Sequence, residues 1–384
     1  MRKHTGIHHG TTIISVVCAM IFYSLTFIYL YFFQDGALTA LQHILSGGVT
    51  HYDSLIGAVV ITSMLFVLQQ WIKKFCVLPS LWNAISFFPS FLILFILTGY
   101  HPLGESECYF YCLYSTPLLF VLWCVLVGLL KKSTIVGSYS SSSTLGSLFT
   151  MEALSNYWIL LLCFFILVLT TDSSIAYHYR VSVEKLMESG KWEKAISVGK
   201  TSQHTDANLT MLRCYALSQT NQLGDRLFSY PINCKGEDLL PIQNNTYCLF
   251  YPPQNIFRHL GAFPADNMDF YTYLKALIKH GKAKPSACHY LLCAYLVDRN
   301  LHEFVKMLKS CNISESMLPR HYQEALVLYN HLTSNPVYLY SNSSIETDYK
   351  DFMHVMRTTP AGNMCRLALH KQFKDSYWRY YYKQ

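Results

Sequence analysis

Charged residues are scarce in this sequence, and they are unevenly distributed. Only 14% of the 384 residues are Asp, Glu, Lys or Arg, whereas a typical soluble protein carries about a quarter. Residues 1–171 hold six basic and five acidic residues, and residues 172–384 hold 24 and 18. Because hydrocarbon excludes charge, the first part is typical of a membrane domain and the second of a soluble domain.

Motifs of common catalytic and metal sites are also missing. The sequence contains no HExxH, no Gly-x-Ser-x-Gly, no Gly-rich phosphate loop and no CxxC. Cys288 and Cys293 are five residues apart, which does not place them as a metal-ligand pair on one helical face. We therefore predict no catalytic, cofactor-binding or metal-binding residue and no cofactor, and the pattern favours a protein that is not an enzyme. Basic residues interleaved with acids argue against nucleic-acid binding.

Five apolar runs are long enough to cross a bilayer, since a helix rises about 1.5 Å per residue across about 30 Å of hydrocarbon. The first run lacks a signal-peptide cleavage site and is predicted to be a retained helix. Pro89 predicts a kink inside the third run, and the fifth run, Tyr157–Thr171, is the shortest and is expected to borrow a turn from Ala153–Asn156. The predicted spans are residues 11–33, 55–72, 81–99, 113–130 and 154–171, within a membrane domain of residues 1–171.

The charges between these runs predict their orientation. All basic residues of this half fall on one side of the five-span topology: Arg2, Lys3, Lys73, Lys74, Lys131 and Lys132. Four acids fall on the other side: Asp35, Asp53, Glu105 and Glu107. The positive-inside rule then places the N-terminus in the cytoplasm and, after five crossings, residues 172–384 on the outer side, which is the periplasm if the source is a Gram-negative bacterium.

Ionisable side chains are absent from the five runs, which argues against a proton-coupled pump. The polar residues Gln69, Gln70 and Asn83 lie near the ends of runs, where hydration at the interface would explain them. Residues 34–53 are partly apolar and could lie along the outer interface.

Helical periodicity continues through residues 172–384, without strand-like alternation. Gly190 between two helical patterns, followed by Trp192 and Ala195, predicts an antiparallel helical hairpin. Leu292 and Tyr295 recur 34 residues later, a spacing typical of tetratricopeptide repeats. Residues 227–264 interrupt the pattern. The predicted fold class is therefore all-α, with about five transmembrane helices followed by a soluble, tetratricopeptide-like domain.

Seven cysteines lie in this second part, so at least one thiol is free if the others pair. Cys234 and Cys248 flank the interruption and are the favoured disulfide in an oxidising compartment. The aromatic end DSYWRYYYKQ is too apolar for a free tail. We expect it to pack on the helical domain as a cap, with contact to a partner or to the membrane surface as the alternative.

Several segments resemble a family of unknown function among multi-pass membrane proteins of Bacteroides-type bacteria. The resemblance rests on QHILSGGVTHYD with the following IGAVVIT, YHYR, GKWEKAI and the terminal DSYWRYYY. It implies an inner-membrane location and a periplasmic helical domain. It implies no activity, substrate or catalytic residue.

Two functions compete, with a purely structural anchor as a third. Helical-hairpin arrays offer surfaces that bind proteins, so the lipid bilayer and a protein partner are the predicted contacts. Alternatively, the chain is a subunit of an envelope enzyme or transporter that handles glycan or lipid substrates. In that case Asp35, Asp53, Glu105 and Glu107 are expected to converge on one cleft; if the acids only follow topology, they are expected to lie apart.

Overall fold

The computed structural model describes residues 5–76, 78, 80–99, 107–133, 150–171, 174–242, 246–311, 313–360 and 362–382. Across these ranges the chain forms α-helices with short 3₁₀ and π-helical segments and contains no β-strand. The predicted all-α class is therefore confirmed. The chain divides into two compact units, unit 1 (Met1–Ser174) and unit 2 (Ile175–Gln384).

Unit 1 contains, among its described residues, five helical segments that are long and apolar enough to cross a membrane. The fifth is α6, and it reaches 20 residues because the Thr150 side chain accepts the N–H of Ala153 and starts the helix at Met151. The segments are α1 (Thr5–Ile28) with a π-helical turn (Tyr29–Phe33), α3 (Ser54–Phe75), a 3₁₀ segment (Ser80–Phe87) with α4 (Phe88–Thr98), α5 (Glu107–Ser133) and α6 (Met151–Thr170). Helix α2 (Asp35–Ser46) connects the first two.

The third span is broken near its start and changes its helix type beside Pro89, where the sequence predicted a kink. Trp82 has non-helical angles (φ −117°, ψ 17°) within the 3₁₀ segment. Pro89 lies in the first turn of α4, which follows the 3₁₀ segment directly. The change from 3₁₀ to α-helix therefore falls next to the proline.

Aromatic side chains form the centre of unit 1. Phe22 of α1 contacts Phe87 and Phe91, with ring centroids 4.9 and 5.3 Å apart. Phe91 in turn meets Phe164 of α6 edge-to-face at 4.7 Å. These ring contacts pack the broken span between α1 and α6.

Unit 2 begins with the predicted hairpin, α7 (Ile175–Glu188) and α8 (Trp192–Ser197). Gly190 has φ +68°, which favours glycine, and Ala195 is fully buried where the helices approach. The remaining helices are α9 (Ala207–Gln219), α10 (Leu223–Arg226), α11 (Pro253–Leu260), α12 (Phe270–Lys279), α13 (Pro285–Val297), α14 (Leu301–Ser310), α15 (Arg320–Leu332), α16 (Ser343–Thr358), α17 (Asn363–Gln372) and α18 (Tyr377–Tyr381).

The interruption at residues 227–264 is more ordered than the sequence pattern indicates, since it includes α11. Helix α11 ends at Gly261, where φ is +136° and a Cβ would lie 2.0 Å from the carbonyl oxygen of Lys282. The N–H of Lys284 donates to the carbonyl of Leu260 at 2.9 Å. Only glycine fits this approach, which holds the interruption against the α12–α13 turn.

Candidate functional site

The broken third span is stabilised by polar side chains from neighbouring helices. Asn156 of α6, fully buried, accepts the N–H of Ala84 at 2.6 Å. Trp123 of α5 donates its indole N–H to the carbonyl of Ile85 at 2.9 Å. A bilayer offers no water to pair backbone groups released from a helix. Asn156 therefore pairs an N–H next to the break at Trp82, and Trp123 pairs the carbonyl four residues before Pro89, which has no N–H to donate to it.

Gln69 of α3 belongs to the same polar network. It is 1% exposed and donates to the hydroxyl of Ser86 at 3.2 Å. Ser90 donates to the carbonyl of Leu65, also on α3, at 3.2 Å. The interpretation of Gln69 as a hydrated interfacial residue is wrong. Its side chain is buried and hydrogen-bonds to a residue of the third span instead of to interfacial water.

An apolar cavity of about 530 Å³ lies beside the break, between α3, α4 and α5. Pro89 and Pro117 both line it, and Trp123 connects it to the polar network. Discontinuous helices next to a cavity are a recurrent setting for binding sites in membrane proteins. The lining is almost wholly apolar and suits a hydrocarbon ligand: Leu68, Ile72, Pro89, Leu92, Ile93, Ile96, Thr116, Pro117, Phe120 and Trp123.

The two described acids of the predicted outer cluster serve local structure. The Asp53 carboxylate accepts the N–H groups of Leu55 and Ile56 at 3.0 and 2.9 Å and caps α3. Asp35, at the start of α2, accepts the hydroxyl of Ser54 at 2.5 Å. Glu105 and the side chain of Glu107 lie outside the described residues. In the part of the chain that is described, no group of three His, Cys, Asp or Glu side chains is arranged for a metal ion.

A second buried polar cluster lies at the π-helical turn. The Tyr29 hydroxyl donates to Thr98 Oγ1 at 3.2 Å and is 2.9 Å from Thr171 Oγ1. Gln34 donates to the same hydroxyl at 3.0 Å. This cluster joins the ends of α1, α4 and α6, which are distant in sequence.

In unit 2 a buried carboxylate fixes the interruption to the first helix. Glu184 of α7 is 0% exposed and accepts the N–H groups of Leu249, Phe250 and Tyr251 at 2.9, 2.6 and 3.0 Å. Burial raises the pKa of Glu184, while these bonds and Arg180 oppose that rise. The carboxylate has a structural role, because its oxygens are used by the chain itself.

A second buried carboxylate holds the aromatic end. Glu324 accepts the N–H of Tyr377 at 2.7 Å and is 3.1 Å from Nδ1 of His321. Its backbone carbonyl accepts the indole N–H of Trp378 at 2.8 Å. Tyr377 and Trp378 are buried, so the predicted cap is confirmed and these two rings are not available to a partner.

Exposed apolar side chains of unit 2 concentrate toward its C-terminal part. Eight large ones are exposed among its described residues, and six of them lie between residues 317 and 367. Met364 and Leu367 of α17 are 66% and 65% exposed and three residues apart, hence on one helical face. The six are Met317, Leu332, Val337, Leu339, Met364 and Leu367.

Family comparison confirms one part of the resemblance drawn from the sequence, namely a family of unknown function. Residues 11–265 and 262–384 match the family of unknown function DUF6057. The chain belongs to this family. No curated protein and no solved structure matches it. Membership of DUF6057 brings no activity, and the function must be argued from the geometry.

The cysteines correct one prediction. All the described cysteines of this DUF6057 chain are free thiols, including Cys234 and Cys248, so the predicted disulfide between those two is absent. Their surroundings differ: Cys234 lies near Asp238 and Thr210, whereas Cys248 lies near Glu184. Burial raises the pKa of Cys234 to about 12. Cys234 and Cys248 lie in the same interruption of the helical pattern, but they do not pair with each other. The interruption instead folds back on α7 and α9.

Sequence patterns missed the polar residues that organise both units. Asn156, Gln69, Glu184 and Glu324 share one signal, a hydrogen-bonding side chain on an otherwise apolar face. Such a side chain is expected to be buried and hydrogen-bonded, but the sequence does not show which residue it bonds to.

Proposed function

We propose that this DUF6057 protein is a multi-pass inner-membrane protein whose helical unit 2 faces the periplasm and binds another envelope protein. The observation that carries the proposal is the exposed apolar face of α17. Helical arrays need a polar outer face at their ends to stay soluble. Met364 and Leu367 break this rule, since they are 66% and 65% exposed, whereas Leu369 of the same helix is buried.

The orientation follows from the basic residues that flank the spans. Lys73 and Lys74 lie at the end of α3, and Lys131 at the end of α5. Both ends share one side of a five-span topology, and cytoplasmic loops carry the excess of Lys and Arg. Alkaline phosphatase fused after Ser174 is expected to be active, and fused after Lys132 inactive. Activity of only the second fusion would reverse the orientation.

We also propose a tetratricopeptide-like arrangement for unit 2, which would suit the binding role. Leu292 and Tyr295 of α13 and their counterparts Leu326 and Tyr329 of α15, 34 residues later, are all buried. Equivalent positions with equivalent burial are expected of stacked helical hairpins. Such arrays bind other proteins through surface side chains on their helices.

Site-specific photocrosslinking tests the partner surface. A photoreactive phenylalanine analogue at Leu367 is expected to give a discrete adduct in native membranes, identified by mass spectrometry. The same analogue at Lys350, exposed on α16, is the matched control. The change Leu367→Glu is expected to abolish co-purification of that protein while proteolytic resistance of unit 2 is retained. Equal labelling from both positions, or none from Leu367, would contradict the proposal.

The cavity beside the broken span favours a second candidate, a subunit that handles a lipid. An apolar cleft of about 530 Å³ fits part of an acyl chain. Filling it with Ile93→Trp is expected to reduce the lipid that co-purifies in detergent, measured by native mass spectrometry. Ile56→Trp, on the exposed face of α3, is the control. Unchanged lipid retention in Ile93→Trp would exclude this candidate.

A further inference from the structure

Helices α13 and α14 form an antiparallel hairpin that brings two cysteines together. Cys288 lies in the first turn of α13, and Cys311 follows the last residue of α14. In such a hairpin the start of one helix meets the end of the next. The two thiols are close enough for one to hydrogen-bond to the other. Sequence spacing alone hid this pair, because 22 residues separate its members.

The pair is more accessible than the two fully buried thiols of unit 2, Cys214 and Cys293. Cys288 and Cys311 are both half-buried, so a small oxidant can reach them. Cys293, on the same helix as Cys288, is fully buried and lies 3.4 Å from the Tyr322 hydroxyl. Accessible, adjacent thiols are the sites that oxidise selectively.

The hydrogen bond between the thiols also makes them unequal. It lowers the pKa of Cys288 and raises that of Cys311, with burial contributing to the rise at Cys311. The thiolate is the form that attacks a disulfide. Cys288 is therefore the attacking residue, and Cys311 is the residue that resolves the intermediate.

We propose that Cys288 and Cys311 form a redox-active dithiol that closes to an intramolecular disulfide by exchange with a small or protein disulfide. Cys288 Sγ attacks one sulfur of the oxidant, which forms a mixed disulfide and releases the first thiolate. Cys311 Sγ then attacks Cys288 Sγ and releases the second. The oxidant gains two electrons and two protons as two thiols, and the protein loses the same number.

The closed disulfide would fix the end of α14 to the start of α13. Residue 311 directly precedes the segment that carries Met317, and Lys309 donates to the carbonyl of Val337 at 2.9 Å. The redox state of the pair thus acts on the connection between α14 and the exposed apolar residues of unit 2. Chemistry at the pair does not depend on which protein those residues bind.

Equilibration of the purified full-length protein with oxidised and reduced glutathione tests the pair. After denaturation and alkylation, the oxidised protein is expected to show eleven reactive thiols of its thirteen, and digestion should yield one peptide pair linked through Cys288 and Cys311. In Cys288→Ser, all twelve remaining thiols should stay reactive. In Cys311→Ser, the mixed disulfide at Cys288 cannot be resolved, so Cys288 should carry one glutathione and eleven thiols should stay reactive. A linkage between any other cysteines, or thirteen reactive thiols in strongly oxidising buffer, would overturn the proposal.

Cys234→Ser serves as the matched control, since Cys234 is also half-buried in unit 2 but hydrogen-bonds to Thr210 and not to a thiol. This variant is expected to lose two reactive thiols on oxidation, as the parent does. Each serine variant is checked for its proteolysis pattern before oxidation. Since the measurement uses purified protein, its outcome is independent of the orientation and of the partner proposed above.

Discussion

The buried carboxylate of Glu324 offers the sharpest test of how unit 2 holds its aromatic end. Its side chain is 1% exposed and receives Arg320 Nε at 2.9 Å on one oxygen. The other oxygen receives the N–H of Tyr377 at 2.7 Å and lies 3.1 Å from His321. Glu324→Gln keeps the size of this side chain but replaces one acceptor oxygen with a donor NH₂ group.

The glutamine amide has only one acceptor oxygen, so its NH₂ group must face either Arg320 Nε or the N–H of Tyr377, and both of these are donors. Hydrogen bonds to charged groups contribute about 1.5–3 kcal/mol each, and breaking a buried pair costs more. We therefore expect the free energy of unfolding of unit 2 to fall by about 2–4 kcal/mol. For a domain of this size that corresponds to a midpoint lower by about 5–15 °C.

The measurement uses the full-length protein in detergent, heated and probed by brief proteolysis within unit 2. Hydrogen exchange at Tyr377 and Trp378 should accelerate in the same variant. Glu303→Gln is the matched control, because Glu303 forms only a surface pair with Lys306 at 3.5 Å, and such pairs contribute about 0–1 kcal/mol. The reasoning would be refuted if the unfolding midpoint of Glu324→Gln lay within about 1 °C of the parent's. It would also be refuted if Glu303→Gln lowered the midpoint by as much as Glu324→Gln does.

Three further substitutions test other parts of the fold. Gly261→Ala should prevent native folding of unit 2, seen as loss of protease resistance, while Gly281→Ala, with φ +64° and open space around it, should cost only about 1 kcal/mol. Asn156→Leu should leave a backbone N–H of the broken span unpaired and destabilise unit 1 by about 1–3 kcal/mol, measured as the loss of the folded fraction in denaturing detergent; a stable variant would contradict this. Burial, with Lys284 adding to it, lowers the pKa of His259. His259 therefore binds a proton at higher pH in the unfolded protein than in the folded one, so stability should fall as the pH drops below about 6.5. His259→Gln should make the unfolding midpoint less dependent on pH in thermal scans, and an unchanged dependence would exclude this role of His259.

Spans and helices of this protein could be predicted because they follow from local patterns. Five uncharged apolar runs give five helices that are long and apolar enough to span a membrane, and the Gly190 turn follows from one residue that tolerates a positive φ. The break in the third span could not be predicted in this way. It depends on Asn156, 72 residues from the N–H group that it accepts, and no local pattern reports a contact of that separation.

The sequence also could not predict which side chains meet in the folded protein. The disulfide predicted for Cys234 and Cys248 used their position around an interruption, which has no fixed geometry. Cys288 and Cys311 meet because α13 and α14 are antiparallel, and this could have been read from the hairpin once both helix ends were known. Two of the outer acids, Asp35 and Asp53, do meet, because both accept hydrogen bonds from the start of α3. These bonds give the two carboxylates a structural role there.

Orientation and thiol chemistry can finally be tested against each other in cells. If unit 2 faces an oxidising periplasm, Cys288 and Cys311 are expected to be linked in protein trapped by acid and alkylated without reduction. If it faces the reducing cytoplasm, the same pair stays reduced even though glutathione disulfide closes it in the purified protein. Because the purified protein fixes the chemistry separately, a reduced pair in cells together with an inactive phosphatase fusion after Ser174 would reject the orientation and leave the dithiol intact.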